Sequence, residues 1–248
     1  CLKCDLCIPV CPTDAIPKNL IVIKEKCIGC GNCSAICPRS DIIHYEHNER
    51  TLRELLPKCL EAGAEQIELH AAVAEDESIM QEWKMVNEVN PNNHNSMCLD
   101  RLHLSNFVFE NRIEKAKEIA GNRLIIQSDG YPMSGGEDDF NTTLQAIATA
   151  DVLNKRFNMK LRKSKNILIY KKKNEVNQLL SGGTNSLTTV LAGQVGVKFQ
   201  GSSLGTFARK IVKNIVDDEN FYNDKELINQ GYLIAKELVV ANVGTIDM

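Results

Sequence analysis

The chain has 248 residues, 43% of them hydrophobic and 25% charged, with a formal net charge of −3. This composition is that of a globular protein with room for one large or two modest domains. The slightly negative balance provides no overall basic field to recruit nucleic acid, and no apolar run approaches the roughly 18 residues of a membrane span.

The first element is a cysteine motif. Cys1, Cys4, Cys7 and Cys11 follow C-x₂-C-x₂-C-x₃-C and are closed by Pro12, and Cys27, Cys30, Cys33 and Cys37 repeat the pattern before Pro38. Tandem runs of this spacing are those of bacterial two-cluster ferredoxins, in which three cysteines of each motif hold one [4Fe–4S] cluster and the fourth crosses to the other. By that rule Cys1, Cys4, Cys7 and Cys37 hold one cluster, and Cys27, Cys30, Cys33 and Cys11 the second. Two-residue gaps let one tight loop present three thiolates, and Gly29 and Gly31 suit a backbone passing close to inorganic sulfide. Zinc and a disulfide framework fit less well. Zinc needs four ligands rather than a tandem of this form, and disulfides belong to oxidising compartments. Eight of ten cysteines committed to clusters imply a reducing compartment, the cytoplasm or a plastid stroma.

Residues 1–46 therefore read as a ferredoxin-like 2×[4Fe–4S] module, with β-rich segments at 20–23 (LIVI) and 41–46 (DIIHYE). Such a module normally has a strand just before its first cysteine. None can be made here, so the sequence reads as N-terminally incomplete.

Beyond residue 50 helices and short strands alternate. The pattern predicts helices over 50–63, 75–89, 105–121, 141–157, 185–195 and 205–216, and strands over 65–71, 95–100, 123–130, 177–183 and 196–203. A C-terminal helix over 224–242 lies within an extension at 217–248. Five strands alternating with helices indicate βα units and a parallel sheet. The fold class is α/β, with the ferredoxin-like module followed, over 50–216, by the βα units of a partial TIM-barrel-like domain; a closed barrel takes about 250 residues. The segment 155–175 is a basic insertion with nine Lys or Arg residues between 155 and 173, expected as a solvated loop or helix extension. Cys59 and Cys98 are expected as buried free thiols.

Strand ends carry the candidate binding residues. Gly182, Gly183, Thr184 and Asn185 end one strand and open a helix, and Gly205 and Thr206 do so at the next. Paired loops of this kind build anion sites in barrels from backbone N–H groups and a helix N-terminus. Asp129 ends the third strand, followed by a loop containing Ser134; His70, Asp100 and Arg101 stand at other strand ends. A flavin or other phosphate-bearing ligand is the candidate occupant. Tight turn chemistry accounts for the same glycines without a ligand, and no nucleophile–base pair or metal triad declares itself.

The cysteine motifs followed by ELHAAV, QSDGYPMSGG, NTT, LLSGGTN and GTFARK resemble the LdpA-like iron–sulfur family of oxygenic phototrophs along nearly the whole chain. The resemblance implies an iron–sulfur module inserted in a barrel-like domain, with further βα units preceding the module. It also implies redox sensing as light input to the circadian clock. The basic segment 155–175 is longer than the family's connection. The leading reading is an iron–sulfur redox protein, a sensor or an electron carrier. Its partner would be a redox partner (the quinone pool, a ferredoxin or a reductase) or a signalling protein. Two other readings stand beside it: an oxidoreductase whose clusters feed a flavin, and an interaction protein whose clusters are folding staples.

Overall fold

The computed structural model describes residues 1–39, 41–44, 49–73, 75–101, 104–130, 138–158, 160–164, 167–171, 176–181 and 184–243; the side chains of 49–51, 158, 160–164, 167–171 and 206 lie outside that description. The strands are β1 (Ile67–His70), β2 (Asn95–Leu99), β3 (Leu124–Ser128), β4 (Lys160–Ser164), β5 (Ile167–Lys171), β6 (Asn177–Leu180) and β7 (Gly201–Ser202). The helices are α1 (Asn32–Ile36), α2 (Glu49–Glu61), α3 (Asp76–Val89), α4 (Asn106–Ala120), α5 (Asp139–Leu153), α6 (Thr188–Val195), α7 (Thr206–Val216) and α8 (Lys225–Val243).

The expected parallel sheet is present. Its order, β1-β2-β3-β6-β7, follows the chain, and every pair is parallel. Side chains alternate between the two faces. On one face Ile67, Met97, Leu99, Leu124 and Ile126 pack with Ile79 and Trp83 of α3 and Phe109 and Ile113 of α4. Leu180 meets Ile147 and Ala150 of α5 and Ala192 of α6 on that same face. The other face carries Glu68, His70, Ser96, Cys98, Gln127 and, just past β3, Asp129. Helices that return to one face give a singly wound arrangement, with the polar face left for chemistry.

Local chemistry fixes the helix starts. Glu75 caps α3 by accepting from the N–H groups of Glu77 and Ser78 at 2.8 and 2.9 Å. Ser105 caps α4 through Val108 N–H at 3.2 Å, and Asp138 caps α5 through Asn141 N–H at 2.8 Å. Each satisfies donors that a helix leaves orphaned. Arg112 of α4 is fully buried. Its guanidinium donates to Asp76 Oδ1 at 2.8 Å, to the Val73 carbonyl at 2.6 Å and to the Ala71 carbonyl. It thereby clamps the segment leaving β1 against α3 and α4.

Several expectations are corrected. Residues 20–23 and 41–44 form no strand, and 45–46 lie outside the described residues. Leu20 takes a left-handed φ of 61°, which interrupts an extended run, although Ile23 N–H still bonds the Ala15 carbonyl at 2.8 Å. The strand expected over 196–203 shrinks to Gly201–Ser202. Its first residues are consumed by the end of α6, where Gly196 has φ 76° and Val197 N–H bonds the Ala192 carbonyl at 3.0 Å. The basic segment extends α5 by a π-helical turn over Asn154–Asn158. It then forms an antiparallel β4–β5 hairpin, with Lys160 opposite Lys171 and Ser164 opposite Ile167, in place of the expected loop. Among the described residues this hairpin is a sheet of its own. Cys98 is buried as expected, but Cys59 is exposed. Among the described residues no helix is long and apolar enough to cross a membrane.

Candidate metal centres

The N-terminal module is shaped by turns. Aligning the two cysteine motifs places Lys3 with Gly29 and Asp5 with Gly31. All four have positive φ: 52° and 60° in the first motif, 69° and 79° in the second. Both loops therefore wind alike although one has glycine at these positions and the other does not. A Cβ on Gly29 would meet no described atom within 4 Å. The glycine answers to backbone handedness, rather than to crowding from the protein itself. Left-handed residues interleaved with cysteines turn backbone N–H groups inward, as anion-binding nests do. Lys3 N–H lies 3.5 Å from Cys1 Sγ, and Ala15 N–H lies 3.2 Å from Cys11 Sγ.

Two cavities sort the thiols. One, of about 710 Å³, is lined by Cys1, Cys4, Cys7, Cys37 and Cys33, with Leu2, Leu6, Ile16 and Val22 among its apolar walls. The other, of about 380 Å³, is lined by Cys11, Cys27, Cys30 and Cys33, with Ile28 and Ile43 beside them. Cys37 lines only the first cavity and Cys11 only the second, so the fourth cysteine of each motif faces the trio of the other. Burial works against the Cys11 thiolate. Even so, hydrogen bonds from the Thr13 and Ala15 backbone and the Thr13 hydroxyl outweigh it and hold the thiol below its ordinary range. Burial pushes Cys33 up, opposed by the Ser34 N–H and reinforced by the charges of Cys30 and Cys27. Apolar walls, convergent sulfurs and N–H donors to sulfur are the surroundings in which iron–sulfur clusters are held and tuned.

The polar face of the sheet makes a second cluster. His70 stands opposite Cys98 in the β1–β2 register, and Cys98 opposite Gln127 in the β2–β3 register. Cys98 S–H donates to Asp129 Oδ2 at 3.0 Å, and Gly130 N–H donates to Asp129 Oδ1 at 2.9 Å. Burial raises the Asp129 carboxyl to about 6. The Cys98 and Gly130 hydrogen bonds oppose that shift, and the nearby charges of Asp100 and Glu68 add to it. Burial, with the Asp129 charge next, pushes the Cys98 thiol well above its usual value. A Cβ on Gly130 would sit 2.0 Å from the Thr142 carbonyl oxygen, so only glycine lets the chain leave Asp129 along this path.

The sequence missed the cluster of Glu68, His70 and Cys98, whose ligating atoms all lie within 4.8 Å of one another. A signal was present: Glu68 and His70 are two residues apart on a strand and so share a face. What the sequence lacks is the register that places Cys98 beside His70.

The expected phosphate loops fare differently. Ser134, Gly182 and Gly183 lie outside the described residues, as does the side chain of Thr206. Asn185 acts as a structural clasp. Its amide donates to the Thr143 hydroxyl at 3.0 Å and the Asp139 carbonyl at 3.3 Å, and its Oδ1 accepts from Leu187 N–H at 2.9 Å. Asn242 of α8 donates to its carbonyl at 3.1 Å. Thr184 is buried, and among the described residues its hydroxyl has no partner. Gly205 precedes α7 as its N-cap, with φ −132° and no side-chain cap.

Residues 1–48 match the LdpA Fe-S cluster-binding domain. Over 147 residues the chain is 31% identical to Light dependent period A of Synechococcus elongatus, a match covering 58% of this chain and 40% of that protein. The chain thus spans about two-fifths of the curated relative it matches. No solved structure matches it.

Proposed function

We propose, on the premise that this chain is LdpA-like and begins with an iron–sulfur cluster-binding domain, that it carries two [4Fe–4S] clusters. Its role is that of a redox sensor or electron carrier in a light- or redox-dependent input to a circadian clock. The observation that supports the reading is the lining of the two cavities: Cys37 joins Cys1, Cys4 and Cys7 at the first, Cys11 joins Cys27, Cys30 and Cys33 at the second, and Cys33 borders both.

The clusters, when bound, supply one-electron chemistry by spreading charge over iron and sulfide. The chain's own residues set where that charge is felt. Backbone N–H groups of Lys3 and Ala15 donate to sulfur, and Leu2, Leu6, Ile16 and Val22 give the first site an apolar lining. The sequential parallel sheet with helices on one face supports the partial TIM-barrel-like reading of the second region. That region reports the oxidation state to a redox partner or signalling protein.

Anaerobic reconstitution of the full chain with iron and sulfide is expected to give broad visible absorbance that dithionite bleaches and oxidation restores, with reduced-state EPR signals. A colourless protein holding zinc overturns the reading. The flavin alternative keeps one observation in its favour, the buried Thr184 hydroxyl with no partner among the described residues. A yellow chromophore retained after cluster removal would establish it.

A further inference from the structure

We infer that Glu68, His70 and Cys98 form a mononuclear site for a divalent transition ion of the zinc class, separate from the cysteine motifs. Three side chains from two adjacent strands offer a carboxylate oxygen, an imidazole nitrogen and a thiol sulfur, all within 4.8 Å of one another. A tetrahedral ion with bonds of about 2.0–2.3 Å needs such atoms somewhat closer, so the site closes on the ion by side-chain adjustment. The donor set selects the metal class: thiolate and imidazole suit zinc and its neighbours, while calcium and magnesium take oxygen alone.

The backbone already holds the ligands in place. His70 and Cys98 are register partners in a parallel pair, Glu68 projects from the same face two residues before His70, and Arg112 clamps the exit from β1. The three ligands run from exposed Glu68 through half-buried His70 to buried Cys98 and fill three of the four positions of a tetrahedral ion. Three protein ligands and one open position is the pattern of a zinc site that keeps a water.

An independent observation points to that water. Gln127 stands opposite Cys98 on the same face and is 4% exposed. Its amide nitrogen donates to Ser96 Oγ at 2.8 Å, while among the described residues its Oε1 is buried without a partner. An orphaned acceptor at this depth is destabilising unless a donor reaches it. A metal-bound water would supply the missing donor. On binding, the ion replaces the Cys98 thiol proton, which passes to the Asp129 carboxylate 3.0 Å away and from there to solvent.

The test uses the full chain, anaerobically loaded with iron and sulfide, then given zinc and desalted. One tightly held zinc per chain is expected beside an unchanged iron content. The zinc-edge X-ray absorption should show a mixed sulfur, nitrogen and oxygen shell. Cys98→Ala and His70→Ala should each weaken zinc binding by more than about 100-fold, and Gln127→Met, which removes only the outer acceptor, by about 10–100-fold. Glu68→Gln, on an exposed side chain, guards against loss through misfolding and should also weaken binding. Equal zinc retention in wild type and all variants, or no retained zinc, overturns the site. A shell of four sulfurs places the zinc in the cysteine motifs, which overturns this site and counts against the cluster reading as well.

Discussion

Residues 1–44 and the parallel sheet solve the problem of staying folded in opposite ways. The sheet region packs an apolar core on one face, with Trp83, Phe109, Met97, Leu99 and Ile113 wholly enclosed. The buried hydrophobic residues of 1–44 are Ala15 and Ile16, while Leu2, Leu6, Ile21, Val22, Ile28 and Ile36 are exposed. So small a core cannot offset the entropy of ordering over 40 residues, about 1–2 kcal/mol each for the backbone alone. A module of this kind borrows its stability from what its thiols bind, so metal binding and folding are one event. The sheet region needs no such help.

The largest expected effect follows from that contrast. Stripping iron with a chelator under reducing conditions should abolish amide protection throughout residues 1–44. Hydrogen exchange in β2 and β3 should stay unchanged. Protection that survives in both regions, or is lost in both, breaks the comparison.

A substitution in the sheet region should do the reverse. Asp76→Ala leaves the Arg112 guanidinium buried without its carboxylate. Removing one partner of a buried pair costs about 3–5 kcal/mol, and the lower end is expected because Asp76 is 31% exposed. Urea unfolding followed by the Trp83 fluorescence should shift accordingly while the visible absorbance of the module persists below the transition.

The two cysteine loops allow a finer cut. They share a backbone winding but not residue types, so substitutions at matched positions should have opposite signs. A left-handed residue other than glycine costs about 1–2 kcal/mol. Gly29→Ala should therefore destabilise the loaded module by about 1 kcal/mol, and Lys3→Gly should stabilise it by a similar or smaller amount, read from the midpoint of thermal bleaching. Equal signs would mean that the loops are not equivalent.

These regions were also unequally legible in the sequence. The cysteine spacing carries its chemistry in local order: residues three or four apart must share one loop whatever the rest of the chain does. The βα units were legible for a similar reason, since caps at Ser105 and Asp138 and short apolar runs in β2 and β3 are local signals. The strand expected at 20–23 failed because Leu20 gives no sign of its left-handed φ, and the one at 196–203 because Gly196 ends α6 as a left-handed cap rather than opening a strand. The Glu68, His70 and Cys98 cluster was hidden because it depends on register between strands some 28 residues apart. The hairpin at β4 and β5 was obscured by charge. Lysine and arginine suggested solvent, while the apolar run ILIY had the β propensity that prevailed.

The central claim is that the eight thiols of the two motifs converge as three plus one and three plus one. Native mass spectrometry of the full chain under anaerobic conditions tests it most directly, together with iron and sulfide analysis. The account expects about eight iron and eight sulfide per chain, falling to about half in Cys11→Ser and in Cys37→Ser, with the surviving cluster differing between the two variants. A single cluster in the wild type, or loss of the same cluster in both variants, would contradict it.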